Sequence, residues 1–525
     1  MAFGRASFGD AAFGDASLRP AGFVMFVVAS MEINFSYRIH VATEELITVP
    51  GDSPANQQFL GSLDQALRFR RSIVQQDGFG GFIVGQGELV IQNADGAFDD
   101  LPLRYALDGR DVEVRHGRKT DRYDDMLVVF KGVAADGHVD EAALTVPLQD
   151  YSFRLEAPLN ANRYGGTGGA DGGEDLAGKR KPRALGYVQN VAPPLVVPNL
   201  LIHQVNDGPV EAIEAVYVRG VALNAGADHA DYAALAAASV SSGDFHTCLA
   251  EGFFRVNFVL EGEVTADVEG DASGDGYVET RAGLVKRVLE LATEVPTDAT
   301  GLYLPAFAAF EASDPNAVGW WADHNDNSNV ADAIANLIGP AAWAGFRRDG
   351  RFEAMRFDLP SGPPHWRCDK TLIRNIKRER LPDGLAPPPW RWRVPWGRNW
   401  TVIADPAGSV SEARRAFLAE EVRYANAEAA AVKVDHPLAL ERTVTGAAYV
   451  SQAAAEAEAE RLLALHRKSA ALYRLTFDLR PLTLDVGDVI EGTYPRWDLR
   501  DGRMLRVVEV GEDARAGEIE IVGFG

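Results

Sequence analysis

Cysteine is scarce in this chain, since only Cys248 and Cys368 occur among 525 residues. Two cysteines cannot form a framework of several disulfide bridges. They also cannot supply the four thiolates that an all-cysteine iron–sulfur cluster needs within one chain.

Long apolar runs and an excess of positive charge are also missing. The apolar run 21–29 is too short to span a bilayer. It continues into the alternating segment 31–39, so we interpret it as a strand rather than a signal peptide. The formal net charge of −23 argues against nucleic-acid binding through a basic surface. We expect cytoplasmic folding and no membrane-spanning segment.

The patterns that are present predict a multidomain α+β fold that is predominantly β. Alternating strands occur at 81–84, 88–91, 112–115 and 126–130, and Asp-Gly turns lie between them. Strands return at 473–479, 489–492, 504–510 and 518–522. Helices are expected at 56–76, 229–238, 281–291, 329–337, 409–430 (opened by the capping-box spacing of Ser409 and Glu412) and 451–470. β-rich segments therefore begin and end the chain.

A glycine-rich turn organises the stretch 143–198. The strand-like segment 144–148 leads into a turn with six glycines among residues 165–169 and 172–173 plus neighbouring charges. Its basic exit, Lys179-Arg180-Lys181-Pro182, re-enters an apolar run at 185–188. Glycine supplies the backbone freedom for such a turn, and proline favours extended backbone before it. We therefore expect two strands joined by an exposed loop.

This stretch resembles the baseplate-hub or tail-tip proteins of long-tailed, siphovirus-like bacteriophages and prophages. The resemblance rests on Tyr-Gly-Gly-Thr-Gly at 164–168, Leu-Ala-Gly-Lys-Arg-Lys-Pro at 176–182 and Gly-Tyr-Val-Gln-Asn-Val at 186–191. Further similar segments lie at 94–100, 216–221, 247–252 and 487–490. None of these motifs is a catalytic signature.

The resemblance implies a structural hub protein that forms a ring. Its expected domains are an arm at 1–20, an N-terminal tail-hub β-barrel at 21–198, a β-rich insertion at 199–280, an α+β insertion at 281–400 and a C-terminal helix pair with a second tail-hub β-barrel at 401–525. A trimer with two barrels per chain would match a six-fold tail tube. Expected partners are other copies of the chain and distal tail, tail-tube and fibre or spike proteins. The resemblance places the protein in the virion after assembly in the host cytoplasm.

A ring of this kind would also surround a channel through which genomic DNA passes without specific binding. DNA carries about one negative charge per 1.7 Å, so a wall rich in Lys and Arg would hold it. We therefore expect a channel wall of net negative charge.

Three regions are expected to contact partners. The segment 1–17 places Phe3, Phe8 and Phe13 at a five-residue period, which fits neither helix nor strand. Composition alone would favour a disordered tail, but phenylalanines are good anchors, and we predict an arm on a neighbouring chain. Lys179, Arg180 and Lys181 are expected to meet acidic surface on a neighbour.

The third region is the proline-rich run 386–400, which contains four tryptophans: Trp390, Trp392, Trp396 and Trp400. We interpret it as a stiff connection whose indoles cover apolar surface between domains or subunits. The alternative is a glycan-binding or glycan-degrading tail component with these rings as its sugar platform. That alternative requires exposed, coplanar rings beside paired carboxylates.

No catalytic, cofactor or metal site is expected. His246 and Cys248 suggest a thiol nucleophile for a peptidoglycan peptidase, but a buried structural cysteine fits better. The acidic segment 323–329 imitates the start of a calcium loop. It lacks the glycine at its sixth position and the glutamate at its twelfth, so we expect a turn before a helix.

Overall fold

The computed structural model describes residues 25–30, 36–118, 120–257, 262–339, 341–466, 470–479, 482–514 and 516–525. Strands dominate this part of the chain, and the helices are short. The predicted fold class, α+β and predominantly β, is confirmed. None of the described helices is both long and apolar enough to cross a membrane.

The N-terminal region contains fourteen strands and one short helix. Its strands are β1 Met25–Ser30, β2 Ser36–Ile39, β3 Leu46–Ile47, β4 Gln58–Phe59, β5 Leu63–Ser72, β6 Val74–Gln75, β7 Gly78–Phe79, β8 Gly81–Ile83, β9 Gln86–Gln92, β10 Tyr105–Ala106, β11 Asp111–His116, β12 Leu127–Ala134, β13 His138–Val139 and β14 Ala143–Gln149. The helix is α1 Leu101–Arg104.

The middle region combines twelve strands with four helices. The strands are β15 Arg183–Val191, β16 Leu195–Val197, β17 Ile202–Gln204, β18 Val210–Val218, β19 Val221–Ala222, β20 Asn224–Asp228, β21 Asp244–Cys248, β22 Phe253–Val256, β23 Val264–Asp271, β24 Gly319–Ala322, β25 Ala342–Phe346 and β26 Phe352–Arg356. The helices are α2 Tyr232–Ala237, α3 Arg281–Ala292, α4 Leu304–Ser313 and α5 Val330–Ile338.

The described part of the C-terminal region contains nine strands and three α-helices, which are interleaved along the chain. The strands are β27 Trp366–Asp369, β28 Asn375–Glu379, β29 Arg391–Trp396, β30 Arg423–Glu428, β31 Glu441–Thr443, β32 Leu472–Asp478, β33 Val489–Thr493, β34 Arg503–Asp513 and β35 Glu518–Phe524. The helices are α6 Glu412–Ala419, α7 Ala430–Asp435 and α8 Gln452–His466.

The two ends of the chain meet in one 15-stranded sheet, which we call the joined sheet. Its main path runs β10-β1-β11-β12-β14-β9-β5-β34-β35-β32-β28. The seam between the two halves is the antiparallel pair of β5 and β34, in which Arg68 lies opposite Asp513 and Ser72 opposite Glu509. The N-terminal and C-terminal halves are therefore hydrogen-bonded directly to each other.

The strand β5 corrects the helix predicted at 56–76. Leu67, Phe69 and Arg71 are buried, whereas Arg68 and Arg70 are exposed, and this alternation is the period of a strand. Hydrogen bonds to β9 on one side and β34 on the other hold the segment extended. Tertiary pairing thus outweighs the helical spacing of the leucines.

The other predicted helices have the right places but different lengths. Asn329 caps α5 in a capping box with Asp332, and α3 buries its Leu284 and Val288 face as expected. Ser411 rather than Ser409 caps α6, and this helix ends at Ala419 rather than near 430. The residues beyond it form β30, which pairs with β29. The helix α4 was not predicted.

One face of the joined sheet contributes to the largest apolar core. Leu67, Phe69, Val510 and Ile519 from the seam share this core with residues of α3, α5, α8 and the β25–β26 hairpin. Two smaller cores lie in the middle region, around β15, β18 and β23 and around β17, β22 and α2. The predicted domain boundaries themselves remain a prediction.

A buried group of charges lies against this core and links three parts of the chain. We call it the ionic cluster; its members are Arg71, Arg347, Arg348, Glu353, Asp485 and Glu512. The Arg71 guanidinium lies 2.7 Å from Glu353 Oε1 and 2.8 Å from Asp485 Oδ1. Its side chain is only 1% exposed. The cluster thus connects β5, the β25–β26 hairpin and the segment before β33.

The ionic cluster keeps its inner groups charged. Burial alone would raise the pKa of Asp485, but Arg71 and Arg347 outweigh it and hold that pKa far below its ordinary value. Burial would likewise lower the pKa of Arg71, yet Asp485 and Glu353 raise it overall. A buried charge that loses its partner costs several kcal/mol, so these groups depend on one another.

Replacing Arg71 with alanine should destabilise the protein by about 3–5 kcal/mol, because Glu353 and Asp485 would remain buried without their main cation. Denaturant unfolding measures this loss. Arg68→Ala is the matched control, since the Arg68 side chain is 67% exposed and its carboxylate neighbour Glu88 is 40% exposed. Its loss should stay below about 1 kcal/mol. Equal losses for the two variants would contradict the role of the ionic cluster.

Glu512 behaves differently from the rest of the ionic cluster. Its carboxylate oxygens have no hydrogen-bond partner among the described residues. Arg348 approaches to 3.5 Å but donates its hydrogen bond to the Leu482 carbonyl at 2.7 Å. Burial therefore dominates and raises the pKa of Glu512 to about 7.

A pKa raised on folding means that the folded state holds this proton more tightly than the unfolded state. Stability from Glu512 is therefore present at low pH and is lost as pH rises from about 4.5 through about 7. The loss amounts to about 3 kcal/mol. Unfolding free energies measured from pH 5 to pH 8.5 check this expectation. The loss of stability with rising pH should be absent in Glu512→Gln and present in Glu88→Gln, whose substitution lies on the sheet surface. Parallel profiles for wild type and Glu512→Gln would contradict this account.

Candidate functional site: the open face of the joined sheet

The second face of the joined sheet carries polar side chains in rows that cross the seam. Cross-strand partners share a face, so the strand register defines these rows. We call this surface the open face. Its three rows are Glu88-Arg68-Asp513-Glu518-Asp478, Gln86-Arg70-Gly511-Glu520-Thr476-Asn375 and Ser72-Glu509-Val522-Arg474-Lys377.

Every arginine in these rows has a carboxylate within reach. Arg70 Nη2 lies 2.8 Å from Glu509 Oε1, and Arg68 lies 3.8 Å from Glu88. Arg474 contacts Glu509 at 3.0 Å and also pairs with Glu379 and Glu520. The arginines of these three rows are therefore paired with carboxylates on the same surface.

Glu509 is the acid that joins the two halves on this face. Burial alone would raise its pKa, but hydrogen bonds from Arg70, Ser72 and Arg474 outweigh burial and lower the pKa overall. Glu509 thus remains a carboxylate between an arginine of β5 and an arginine of β32. The two halves of the sheet are linked electrostatically as well as by backbone pairing.

The open face is net acidic and slightly concave at the seam. A groove of about 530 Å³ lies there, lined by Arg68, Arg70, Glu88, Asp513, Glu518 and Glu520 among others. Carboxylates outnumber cations across the three rows. Such a surface repels phosphate while keeping its arginines occupied.

The sequence analysis missed this surface because it placed Arg68 and Arg70 on a helix. The signal was present in the alternation Leu67-Arg68-Phe69-Arg70-Arg71, where apolar and charged side chains take turns. Acidic residues at Glu518 and Glu520 alternate in the same way with Ile519 and Ile521. What a single segment could not reveal is that these strands are neighbours.

The tryptophan run is part of a sheet rather than a simple connection. β29 is the central strand between β30 and β31, and Trp392 is buried there, stacked on His466. Trp400 meets Trp320 edge to face at 5.6 Å, and Trp390 and Trp396 are half-buried. None of the four rings is exposed, so they do not form the open platform that the glycan alternative requires.

The basic residues at the exit of the glycine-rich loop divide into two groups. Arg180 donates to the Asn160 carbonyl at 2.6 Å and to Asn327 at 3.3 Å, so it is engaged within the chain. Lys181 is half-buried with its ammonium 5.7 Å from the ring centre of Tyr164. Lys179 is exposed. A contact with a neighbouring subunit therefore remains a prediction that suits Lys179 best.

Phe3, Phe8 and Phe13 lie outside the described residues. The predicted docking of the arm therefore remains a hypothesis from the sequence.

The thiol of Cys248 does not have the setting of a nucleophile. Its side chain is fully buried, and burial raises its pKa to about 11. A nucleophilic cysteine needs the opposite shift, toward thiolate at neutral pH. Cys248 packs with Tyr164, Leu176 and Phe253, as expected for a core cysteine.

The acidic segment before α5 forms local turns. Asp323 accepts a hydrogen bond from the Asn325 backbone N–H at 2.7 Å, and Asp326 accepts one from Ser328 at 2.7 Å. Asn329 then caps the helix. This is the turn before a helix that the sequence predicted.

Residues 400–510 match the model of a protein family described as putative phage tail protein. The predicted resemblance to phage tail proteins is thereby confirmed. The matched segment contains Arg474 and Glu509 of the open face and Asp485 of the ionic cluster. None of the curated proteins matches the chain.

Three solved structures of tail proteins resemble the chain at low identity. The tail protein from Neisseria meningitidis MC58 is 10% identical over 96% of both chains, with a TM-score of 0.42. The 43 kDa tail protein of prophage MuSo2 from Shewanella oneidensis is 8% identical over 96% of both, with a TM-score of 0.32. A prophage tail protein from Listeria monocytogenes EGD-e is 8% identical over 95% of this chain and 94% of its own, with a TM-score of 0.33.

Reversing the charge of Arg180 should destabilise the isolated chain, because the Asn160 carbonyl and Asn327 would lose their donor. We expect Arg180→Glu to cost about 1.5–3 kcal/mol, the usual range for hydrogen bonds to charged groups. Lys179→Glu is the matched control and should change stability little. Thermal unfolding of the two variants checks this, and a Lys179→Glu loss as large as that of Arg180→Glu would contradict the assignment.

Proposed function

We propose that the protein is a structural hub of a phage tail tip in which several copies form a ring around a channel. The open face lines this channel in the proposed assembly. The observation that carries the proposal is the continuous, net-acidic open face across a sheet built from both ends of one chain. The family match over 400–510 supports a tail component.

A sheet with one packed face and one polar face suits a channel wall. The packed face is covered by helices and the β25–β26 hairpin, which leaves the open face for solvent. Because both halves of the joined sheet belong to one chain, the open face of each copy would form a wide part of the channel wall. Each copy contributes an N-terminal and a C-terminal half of the joined sheet, so three copies would provide six halves. A trimer built in this way would match the symmetry of a six-fold tail tube.

The edges of the joined sheet offer the contacts between copies. β28 ends the path on one side, and its Asn375, Lys377 and Arg378 are exposed. Charged side chains on an edge strand discourage uncontrolled pairing and leave a specific partner as the favoured neighbour. In the proposed ring, that partner is the N-terminal half of the next copy.

The charge pattern on the open face explains how DNA could pass without being held. Free arginines would bind phosphates and release counterions. Arg70 and Arg474 are instead held by Glu509, Glu379 and Glu520. The proposed channel therefore carries arginines for stability of the sheet while presenting excess negative charge to the duplex.

Electron microscopy of the purified chain tests the ring directly, and closed three-fold rings are the expected result.

DNA retention at low salt tests the charge of the proposed channel wall. Wild type should not retain duplex DNA, whereas Glu518→Gln/Glu520→Gln should gain salt-sensitive retention, because Arg374 and Arg474 lose carboxylate partners.

The control variant is Glu456→Gln/Glu460→Gln, which removes the same charge from the exposed surface of α8. It should leave DNA retention unchanged. Retention by wild type, or equal gains in both double variants, would contradict a channel wall at the open face. A chain that stays monomeric at the concentrations reached in an infected cell would contradict the ring.

A further inference from the structure

Two histidines face each other at the edge of a small sheet in the middle region. His229 follows β20 directly, and His246 lies in the middle of β21, which pairs with β20 in parallel. The Nε2 atom of His229 is 3.0 Å from Nδ1 of His246. The two rings are nearly parallel, with centroids 5.2 Å apart and planes inclined by 23°. The residues are 17 positions apart, so no sequence motif joins them.

This arrangement turns one ring nitrogen of each histidine toward the same point. A neutral imidazole has one N–H and one lone pair, so the pair can form a single hydrogen bond. If both protons move to the outer nitrogens, two lone pairs point at one position. Zn²⁺ binds imidazole nitrogen at about 2.0–2.1 Å, which sets two tetrahedral ligands about 3.3–3.4 Å apart. The observed separation needs to widen by only about 0.3–0.4 Å to reach that value.

The backbone around the pair is shaped for the His246 ring. A side chain at Gly226 would overlap Cδ2 and Nε2 of this ring, so glycine leaves the space in which the imidazole lies across β20. A hydrogen bond of 2.8 Å from the His229 backbone N–H to the Thr247 carbonyl fixes the neighbouring strand end. Both rings are half-buried and therefore reachable from solvent.

The nearest carboxylates are engaged elsewhere. Asp228 accepts hydrogen bonds from the Thr247 hydroxyl and the Leu249 backbone N–H. Asp244 accepts one from Asn224. Among the described residues, no group of three or more His, Cys, Asp or Glu side chains is arranged to hold a metal. Any ion at this point would keep open positions for water.

We propose that His229 and His246 form a two-ligand site for a divalent transition-metal ion such as Cu²⁺ or Zn²⁺. Neutral imidazole suits both ions, and Cu²⁺ binds most tightly in the series of divalent metals. The bound ion links the end of β20, through His229, to β21, through His246. All residues of β20 are exposed and the strand lies at the edge of its sheet, so it gains most from such a link. This site is independent of the proposed channel.

Titration of the full chain with Cu²⁺, followed by isothermal calorimetry and electron paramagnetic resonance, tests the site. We expect a binding event whose spectrum shows two coordinating imidazole nitrogens, and Cu²⁺ should displace Zn²⁺ that is already bound at the same site. His229→Asn and His246→Asn should each weaken it at least tenfold. His138→Asn is the control, because this exposed histidine lies in β13 of the joined sheet.

Hydrogen exchange gives a second readout that does not depend on affinity. Zn²⁺ should slow amide exchange in 224–229 and 244–248 in wild type and in His138→Asn, but not in the other two variants. Equal Cu²⁺ binding by wild type and a His229→Asn/His246→Asn double variant would overturn the proposal. Unchanged amide exchange at 224–229 in wild type with bound Zn²⁺ would also overturn the proposed link between β20 and β21.

Discussion

The pairing of β5 with β34 is the constraint on which the rest of the structure depends. It joins strands that are far apart in the sequence; the Arg71–Asp485 contact beside it spans 414 residues. Closing so long a loop costs about 5 kcal/mol by the logarithmic dependence on length. Leu67, Phe69 and Val510 are buried along the seam, and Ile519 and Ile521 are buried on the adjoining strand β35. At about 1.5–3 kcal/mol for each buried side chain, they more than offset that cost.

The two faces of the seam contribute to the structure in different ways. Apolar burial stabilises the packed face, while the ionic cluster fixes which segments meet there, because Arg71 needs carboxylates from both the β25–β26 hairpin and the segment before β33. The open face adds little apolar area. Glu509 on this face is itself buried, and its ion pairs with Arg70 and Arg474 link the two halves as the Arg71 pairs do on the other face. One pairing thus yields a stable sheet and a polar wall together.

Local patterns in the sequence predicted most of the elements that have local causes. The capped helices at Asn329 and Ser411 and the C-terminal strands follow from side-chain chemistry within a few residues. The extended state of β5 does not, because its leucines fit a helix as well as a strand until β9 and β34 pair with it. For a similar reason, single segments did not predict that residues 391–396 of the tryptophan run form the strand β29. Pro395 is tolerated in β29 because β31 pairs only with Arg391–Arg393.

The open face and the histidine pair could not be predicted at all from single segments. Each depends on the register between strands that the sequence does not place side by side.

The central claim is that the open face lines a channel. A density map of the assembled tail tip tests it most directly: the exposed side chains of Arg68, Arg70 and Glu520 should point toward the tail axis with no protein covering them. A map in which another protein covers the open face, or in which it points away from the axis, would contradict the account.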